Sequence, residues 1–140
     1  MENVSNLESL DTNTLKLLLK NAMDKKREEA QGDFLKFVKT VWPEFVEGKH
    51  HKIYAEKLNR IANGELKRLI VNMPPRHTKS EFASNLFPAF YMGRHPKAKL
   101  IQTTHTGELA IRFGRKAKNM IESSEYEKVF PEVTLAADSK

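Results

Sequence analysis

The feature that most constrains this chain is a pair of adjacent prolines, Pro74 and Pro75, placed directly after a short apolar run. That run, residues 68–73 (RLIVNM), is rich in branched side chains and is typical of a buried parallel strand. Proline lacks a backbone N–H and restricts the residue before it, so no regular helix passes through this point. The pattern after the prolines is helix-like from Ser80 to Met92. We therefore predict a strand, a tight turn over residues 74–79 and a helix, in that order.

The predicted turn has the residue types of a phosphate-binding loop. Such a loop needs a strand that leads in, backbone N–H groups that point inward, and then Lys followed by Ser or Thr at the start of a helix. In this interpretation Lys79 contacts the β- and γ-phosphates of a nucleotide, and the Ser80 hydroxyl binds Mg²⁺. The first N–H groups of the helix add the positive end of its dipole.

The turn departs from the common pattern G-x-x-x-x-G-K-[ST] at both glycines, where this chain has Met73 and Thr78. A β-branched residue disfavours positive φ, at a cost of roughly 1–2 kcal/mol if the loop demands it. The alternative interpretation is a strand-to-helix turn in which Lys79 and Ser80 are adjacent by chance. The predicted strand before the turn and the helix after it favour the phosphate loop.

Hydrophobic periodicity predicts further elements on both sides of this loop. Helices are predicted at Thr12–Glu29, over a segment marked by Phe34, Phe37, Val38 and Val41, at His50–Ala62 and from Thr106 to about Ser123, and a second strand is predicted at Ala98–Thr103. Pro88 is expected to kink or break the helix after the loop. Strands alternating with helices predict an α/β fold with a parallel sheet. The predicted class is an incomplete P-loop NTPase-like parallel sheet with flanking helices, preceded by an N-terminal helical region.

The positive charge of the chain is concentrated in one stretch. The formal net charge is +6, and residues 93–120 hold seven basic side chains and one acidic side chain, which accounts for all of it. Such a patch is the electrostatic footprint of a phosphate-backbone partner, with a solvated helix face as the alternative. The basic residues that lie off the inward stripe of the last predicted helix are candidates for contact with DNA phosphates: Arg112, Arg115, Lys116 and Lys118.

Several classes of protein are excluded by composition. The chain has no cysteine, so it has no disulfide and no thiolate zinc site. No apolar run approaches the roughly 18 residues that a membrane span needs. The N-terminus lacks the basic start and apolar middle of a signal peptide. We expect a cytoplasmic protein without a membrane-spanning segment.

Two long blocks of the sequence resemble a known family. The segment RLIVNMPPRHTKSEFASNLFPAFYMGRHP, followed by KLIQTTHTGELAIRFGRKAKNMI, is similar to the ATPase domain of the large terminase subunits of tailed bacteriophages. That family uses a phosphate loop of the form P-P-R-x-x-K-S, with an arginine inside the loop, and a later block of the form T-x-x-x-E-L-A-x-x-F-G-R. The likeness covers about residues 33–140 and leaves residues 1–32 as an N-terminal helical arm.

The resemblance implies a function and a set of site residues. It implies an ATP- and Mg²⁺-dependent motor that translocates double-stranded DNA into the procapsid, in the host cytoplasm. Its partners would be the portal protein, the small terminase subunit and further copies of itself in a ring. The residues carried over are Arg76 and Lys79 as catalytic groups, Pro75, Arg76, His77, Thr78, Lys79, Ser80 and Tyr54 as nucleotide contacts, and Ser80 as the Mg²⁺ ligand.

Three of these assignments have alternatives. Arg76 would place delocalised charge near the γ-phosphate, or it would pair with a surface carboxylate. His77 is a spacer rather than a catalyst. Tyr54 lies in the region where the family contacts adenine, but it shares an apolar stripe with Leu58 and Ile61, which favours core packing.

An ATPase of this kind also needs an apolar strand that ends in Asp-Glu, to hold Mg²⁺ and position water. The sequence contains no such strand and no nuclease domain. We therefore expect a truncated portion of the ATPase domain that binds nucleotide weakly and does not hydrolyse it by itself. The alternatives are a helicase-like motor fragment and a basic DNA-binding or assembly module without nucleotide chemistry.

Overall fold

The computed structural model describes residues 11–136. In this part the chain forms seven α-helices and one π-helical turn: α1 Thr12–Gly32, α2 Phe34–Val41, α3 Lys49–Ala62, α4 Lys79–Glu81, the π-helical turn Phe82–Leu86, α5 Phe87–Arg94, α6 Gly107–Ile121 and α7 Ser124–Val129. None of these helices is long and apolar enough to cross a membrane. The first ten residues of the predicted arm and residues 137–140 lie outside the described part.

The predicted parallel sheet is wrong, because residues 11–136 contain no β-strand. Residues 68–73 and 99–103 are non-helical, but their backbone groups form no backbone hydrogen bond with another described residue. A strand is stabilised by a hydrogen-bonded neighbour, and neither segment has one here. Leu69, Val71 and Met73 rest against the core, whereas Ile70 is 88% exposed and Ile101 is 91% exposed. The α/β class is therefore replaced by an all-helical architecture with two unpaired connecting segments.

The helices predicted from periodicity are confirmed. The Asp11 side chain accepts a hydrogen bond from the Thr14 amide at 2.7 Å and begins α1. Asp33 ends α1 and begins α2, where its side chain accepts from the Lys36 amide at 2.8 Å. The Thr106 hydroxyl accepts from the Leu109 amide at 3.3 Å and begins α6. Short polar side chains at these positions satisfy the first free N–H groups of each helix, which fixes where it starts.

The predicted break at Pro88 takes the form of a π-helical turn just before the proline. Proline has no N–H, so the carbonyl of Ser84, four residues earlier, loses its usual helical donor. The side chain of Gln102 supplies a replacement, with its amide nitrogen 3.1 Å from the Ser84 oxygen. Asn85, in the middle of the turn, is 2% exposed, and its side-chain nitrogen and oxygen have no hydrogen-bond partner among the described residues.

Aromatic side chains fill the core and connect it to the predicted phosphate loop. Phe34 and Phe82 are fully buried and meet edge to face, with ring centroids 5.3 Å apart. Tyr126, from the unpredicted helix α7, is also fully buried; its hydroxyl donates to the Ala89 carbonyl at 3.0 Å, and burial raises the pKa of the Tyr126 phenol. Phe82 lies three residues after Lys79, where α4 begins. The burial of Phe82 therefore holds the start of α4 against the core.

Candidate phosphate-binding site

The loop between Met73 and α4 has an unusual backbone. Arg76 has a φ of 64° and Thr78 a φ of 59°, and these are the non-glycine residues with positive φ in the described part of the chain. Thr78, with a ψ of 8°, lies in the left-handed region and is followed directly by the helical residue Lys79. A left-handed residue beside a right-handed one is the backbone pattern of an anion-binding nest, in which successive N–H groups converge. The backbone of this turn is therefore compatible with binding of an anion.

The curled turn lines an open cavity of about 460 Å³. Its walls are formed by Trp42 and residues 74–81. Two cations line it, Arg76 and Lys79, and neither side chain forms an ion pair or a hydrogen bond with another described residue. Glu81 also lines the cavity, but its carboxylate is 3.3 Å from the Lys116 ammonium of α6. The cavity thus has two uncompensated positive charges, which favours an anionic ligand.

His51, from α3, supports the loop from the core side. Its Nε2 lies 2.7 Å from the Thr78 hydroxyl oxygen, and its Nδ1 accepts from the Gly48 amide at 2.8 Å. A neutral ring that accepts at Nδ1 carries its proton on Nε2, so Nε2 donates to Thr78. The Thr78 hydroxyl in turn donates to the His77 carbonyl at 2.6 Å.

The His50 ring lies close to two other histidine rings, those of His51 and His77. The His51 ring centroid lies 3.8 Å from that of His50, and His50 lies 5.4 Å from His77. Burial lowers the pKa of His51, the neighbouring His50 and His77 lower it further, and only Glu47 acts to raise it. The lowered pKa favours the neutral ring, which the hydrogen bond accepted at Nδ1 requires. His77 is an exposed residue whose Nδ1 lies 2.9 Å from the Pro75 carbonyl oxygen, a local contact that shapes the turn.

Tyr54 is 5% exposed and stacks on Phe82, with centroids 5.7 Å apart and planes 23° from parallel. It thus packs in the core, as its position in the apolar stripe favours. It also lines a smaller cavity of about 250 Å³, bounded by His50 and residues 69–73. The contact between Tyr54 and adenine stays a prediction.

The four basic residues proposed for DNA lie on α6, but they are not equivalent. Arg112 and Arg115 are exposed and form no ion pair with another described residue. Lys116 binds Glu81, and Lys118 lies 3.9 Å from Glu122. The two arginines are thus the residues of this group that are most available to an external phosphate.

The sequence did not identify two of the residues that shape the site. Trp42 is not among the predicted site residues, yet it forms a wall of the cavity. His51 is also absent from the predicted site residues. Its signal was local: it occupies the third position of α3 and accepts from the Gly48 amide before the helix, a place that glutamate or glutamine usually fills.

Comparison with known protein families, with curated proteins and with solved structures gives no match to this chain. Among residues 11–136, no three His, Asp or Glu side chains converge in a way that could hold a metal ion.

Proposed function

We propose that the loop formed by residues 75–80 binds the phosphates of ATP together with Mg²⁺, in a DNA-packaging motor of the large-terminase type. The observation that carries the proposal is the left-handed conformation of Thr78 directly before Lys79, in a loop that has two unpaired cations. Folding costs free energy at each strained non-glycine residue, and binding of a phosphate is a physical reason to retain that strain. The strand that was predicted to lead into the loop is absent from residues 11–136, so the proposal rests on the loop conformation and its charges alone.

Each residue of the loop has a chemical role in the proposal. The Lys79 ammonium neutralises the β- and γ-phosphates as a point charge. The Arg76 guanidinium spreads positive charge near the γ-phosphate, where negative charge accumulates in the transition state of phosphoryl transfer. Ser80 is an exposed residue that lines the cavity, and its hydroxyl would be a ligand for Mg²⁺. Pro75, His77 and Thr78 give the turn its shape.

We expect residues 1–140 to bind ATP without turning it over. Hydrolysis needs an acidic group that positions water and holds the metal. Among the described residues the cavity is lined by one carboxylate, Glu81, and Lys116 already neutralises it.

The test is the substitution Lys79→Ala, with binding of ATP and Mg²⁺ measured by calorimetry. Loss of a charge-assisted contact should weaken binding by about 10- to 100-fold. Lys97→Ala is the matched control, because Lys97 is an exposed lysine that lies away from the loop cavity. The control should bind as the unaltered chain does. Equal affinity of the two variants, or no ATP binding by the unaltered chain, would contradict the proposal.

A second candidate function, a DNA-binding module without nucleotide chemistry, is favoured by one observation: Arg112 and Arg115 are exposed on α6 without an acidic partner in the described chain. The same calorimetry separates the two. A module of this kind would bind DNA, and its ATP affinity would be absent in all three proteins.

In the packaging motor, the double-stranded DNA, the portal protein, the small terminase subunit and a ring of copies would act together in the host cytoplasm.

A further inference from the structure

Thr78 adopts a conformation that its own side chain disfavours. Its φ of 59° places the branched Cβ in the left-handed region, which glycine enters without penalty. Within residues 74–80 the side-chain hydrogen bonds are local ones, from the Thr78 hydroxyl to the His77 carbonyl and between His77 Nδ1 and the Pro75 carbonyl oxygen. The compensating contact comes from elsewhere in the chain, 27 residues earlier, where His51 lies 2.7 Å from the Thr78 hydroxyl.

His51 is itself held rigidly. It is 5% exposed and packs against the rings of Phe45 and Phe82, with centroids 4.8 Å and 5.3 Å away. The Gly48 amide fixes the ring rotation through Nδ1. A Cβ on Gly48 would lie 2.9 Å from Cε1 of His50, so a larger residue at this position would displace the His50 ring.

The hydrogen bonds run in one direction, from the core to the loop. The Gly48 amide donates to His51, His51 donates to Thr78, and Thr78 donates to the His77 carbonyl. Each donor on this path has an acceptor. The last bond joins the Thr78 side chain to the carbonyl of the residue directly before it. The imidazole therefore selects the rotamer of Thr78 and the orientation of the peptide that precedes it.

We propose that His51 is a positioning residue, which holds Thr78 left-handed and so keeps the loop in its phosphate-binding conformation before a ligand arrives. The inference rests on the proposed function for the identity of the ligand. In this chain, a histidine on another helix does for the loop what glycine at position 78 would do through backbone freedom alone. A preformed loop binds more tightly than one that has to be ordered on binding, since the ordering has no cost in affinity.

The test is a double-mutant cycle with His51→Phe, Thr78→Gly and the two combined. Phenylalanine retains a ring in the aromatic surroundings of His51 but has no nitrogen. In the Thr78 chain, His51→Phe should weaken ATP–Mg²⁺ binding by about tenfold, the factor that corresponds to the strain of one left-handed residue. In the Thr78→Gly chain the same change should have little effect, because glycine needs no support at this φ. Equal weakening in both backgrounds would overturn the proposal, because His51 would then act by another route.

His51→Gln is a second variant, in case His51→Phe does not fold. Its side-chain amide retains a donor, so it should restore part of the affinity that His51→Phe loses. Circular dichroism confirms the helical content of each variant. Affinity for ATP as low as in His51→Phe would count against the hydrogen bond to Thr78.

The backbone of Thr78 in the nucleotide-free chain separates this inference from the proposed function. NMR couplings and carbon shifts should report a left-handed Thr78 in the unaltered chain and its loss in His51→Phe. If Thr78 changes in this way but no protein binds ATP, the proposed function fails and the role of His51 stands. If ATP binds but Thr78 is unaffected by His51→Phe, the role of His51 fails and the proposed function stands.

Discussion

Thr78 is a branched residue in a left-handed conformation immediately before a helix. The sequence predicts the position of this turn, because two prolines and the Lys-Ser pair delimit it. It also predicts that Thr78 would be strained there. It does not predict His51 as the support, because the contact spans 27 residues and depends on how α3 packs against the start of α4. Strain can be predicted locally, whereas its compensation is set by tertiary packing.

Asn85 gives a second prediction at the scale of one residue. It is 2% exposed, and both polar atoms of its amide lack a partner among the described residues. A buried amide without hydrogen bonds destabilises the folded state. Asn85→Leu, which retains the approximate size of the side chain, should raise the free energy of unfolding in urea by about 1–2 kcal/mol.

Asn119→Leu is the control for this measurement. Asn119 is exposed on α6, so its substitution should change the free energy of unfolding by less than about 0.5 kcal/mol. If Asn85→Leu instead destabilises the chain, the amide is satisfied and has a structural role in the π-helical turn.

At the scale of elements, the helices and the strands differ in how far the sequence determines them. Periodicity and capping residues predict α1, α2, α3 and α6 closely, since a helix satisfies its hydrogen bonds within one segment. A short apolar run such as residues 68–73 contains no information about a neighbouring strand. Its alternate residues Leu69 and Val71 pack on the core while Ile70 faces outward, so one-sided packing of an unpaired segment produces the same pattern.

Helix α7 was not predicted, because its sequence has too little hydrophobic pattern rather than a misleading one. Its sequence, SEYEKV, is short and mostly polar, so no apolar stripe is visible. Ser123 begins it by accepting from the Tyr126 amide at 3.3 Å, and Tyr126 and Val129 complete the aromatic core. The available signal for this helix was the capping residue Ser123 and the two large residues Tyr126 and Val129, three positions apart.

Helix α6 makes the DNA hypothesis testable as an element. Arg112→Glu with Arg115→Glu reverses two exposed charges on it. If this face binds DNA phosphates, affinity for double-stranded DNA should fall, and the slope of log affinity against log salt should flatten by about 1.8, or 0.9 for each lost contact.

The matched control reverses two lysines on α1, Lys16→Glu with Lys20→Glu. Both are exposed, and the change in net charge is the same. The control should retain most of the DNA affinity. An equal loss in both double variants would mean that only overall charge matters, and no loss in either would mean that the α6 face is merely solvated.

At the scale of the whole molecule, the phosphate loop lies at the outside of the helical core. Phe82 joins the two: its ring contacts Phe34, Phe45 and Tyr54, and it follows Lys79 by three residues. The basic helix α6 reaches the same place through Lys116 and Glu81. The predicted order of loop, helix and basic helix is thus present, whereas the sheet predicted to organise them is not.

The most direct test of phosphate binding by this loop is an NMR titration of the isotope-labelled chain with ATP and Mg²⁺. The account predicts saturable shifts of the amide signals of residues 76–80, because their N–H groups would contact the phosphates, while the signals of α7 remain in place. Unchanged amide signals of residues 76–80 at saturating ATP, or shifts confined to another surface, would contradict it.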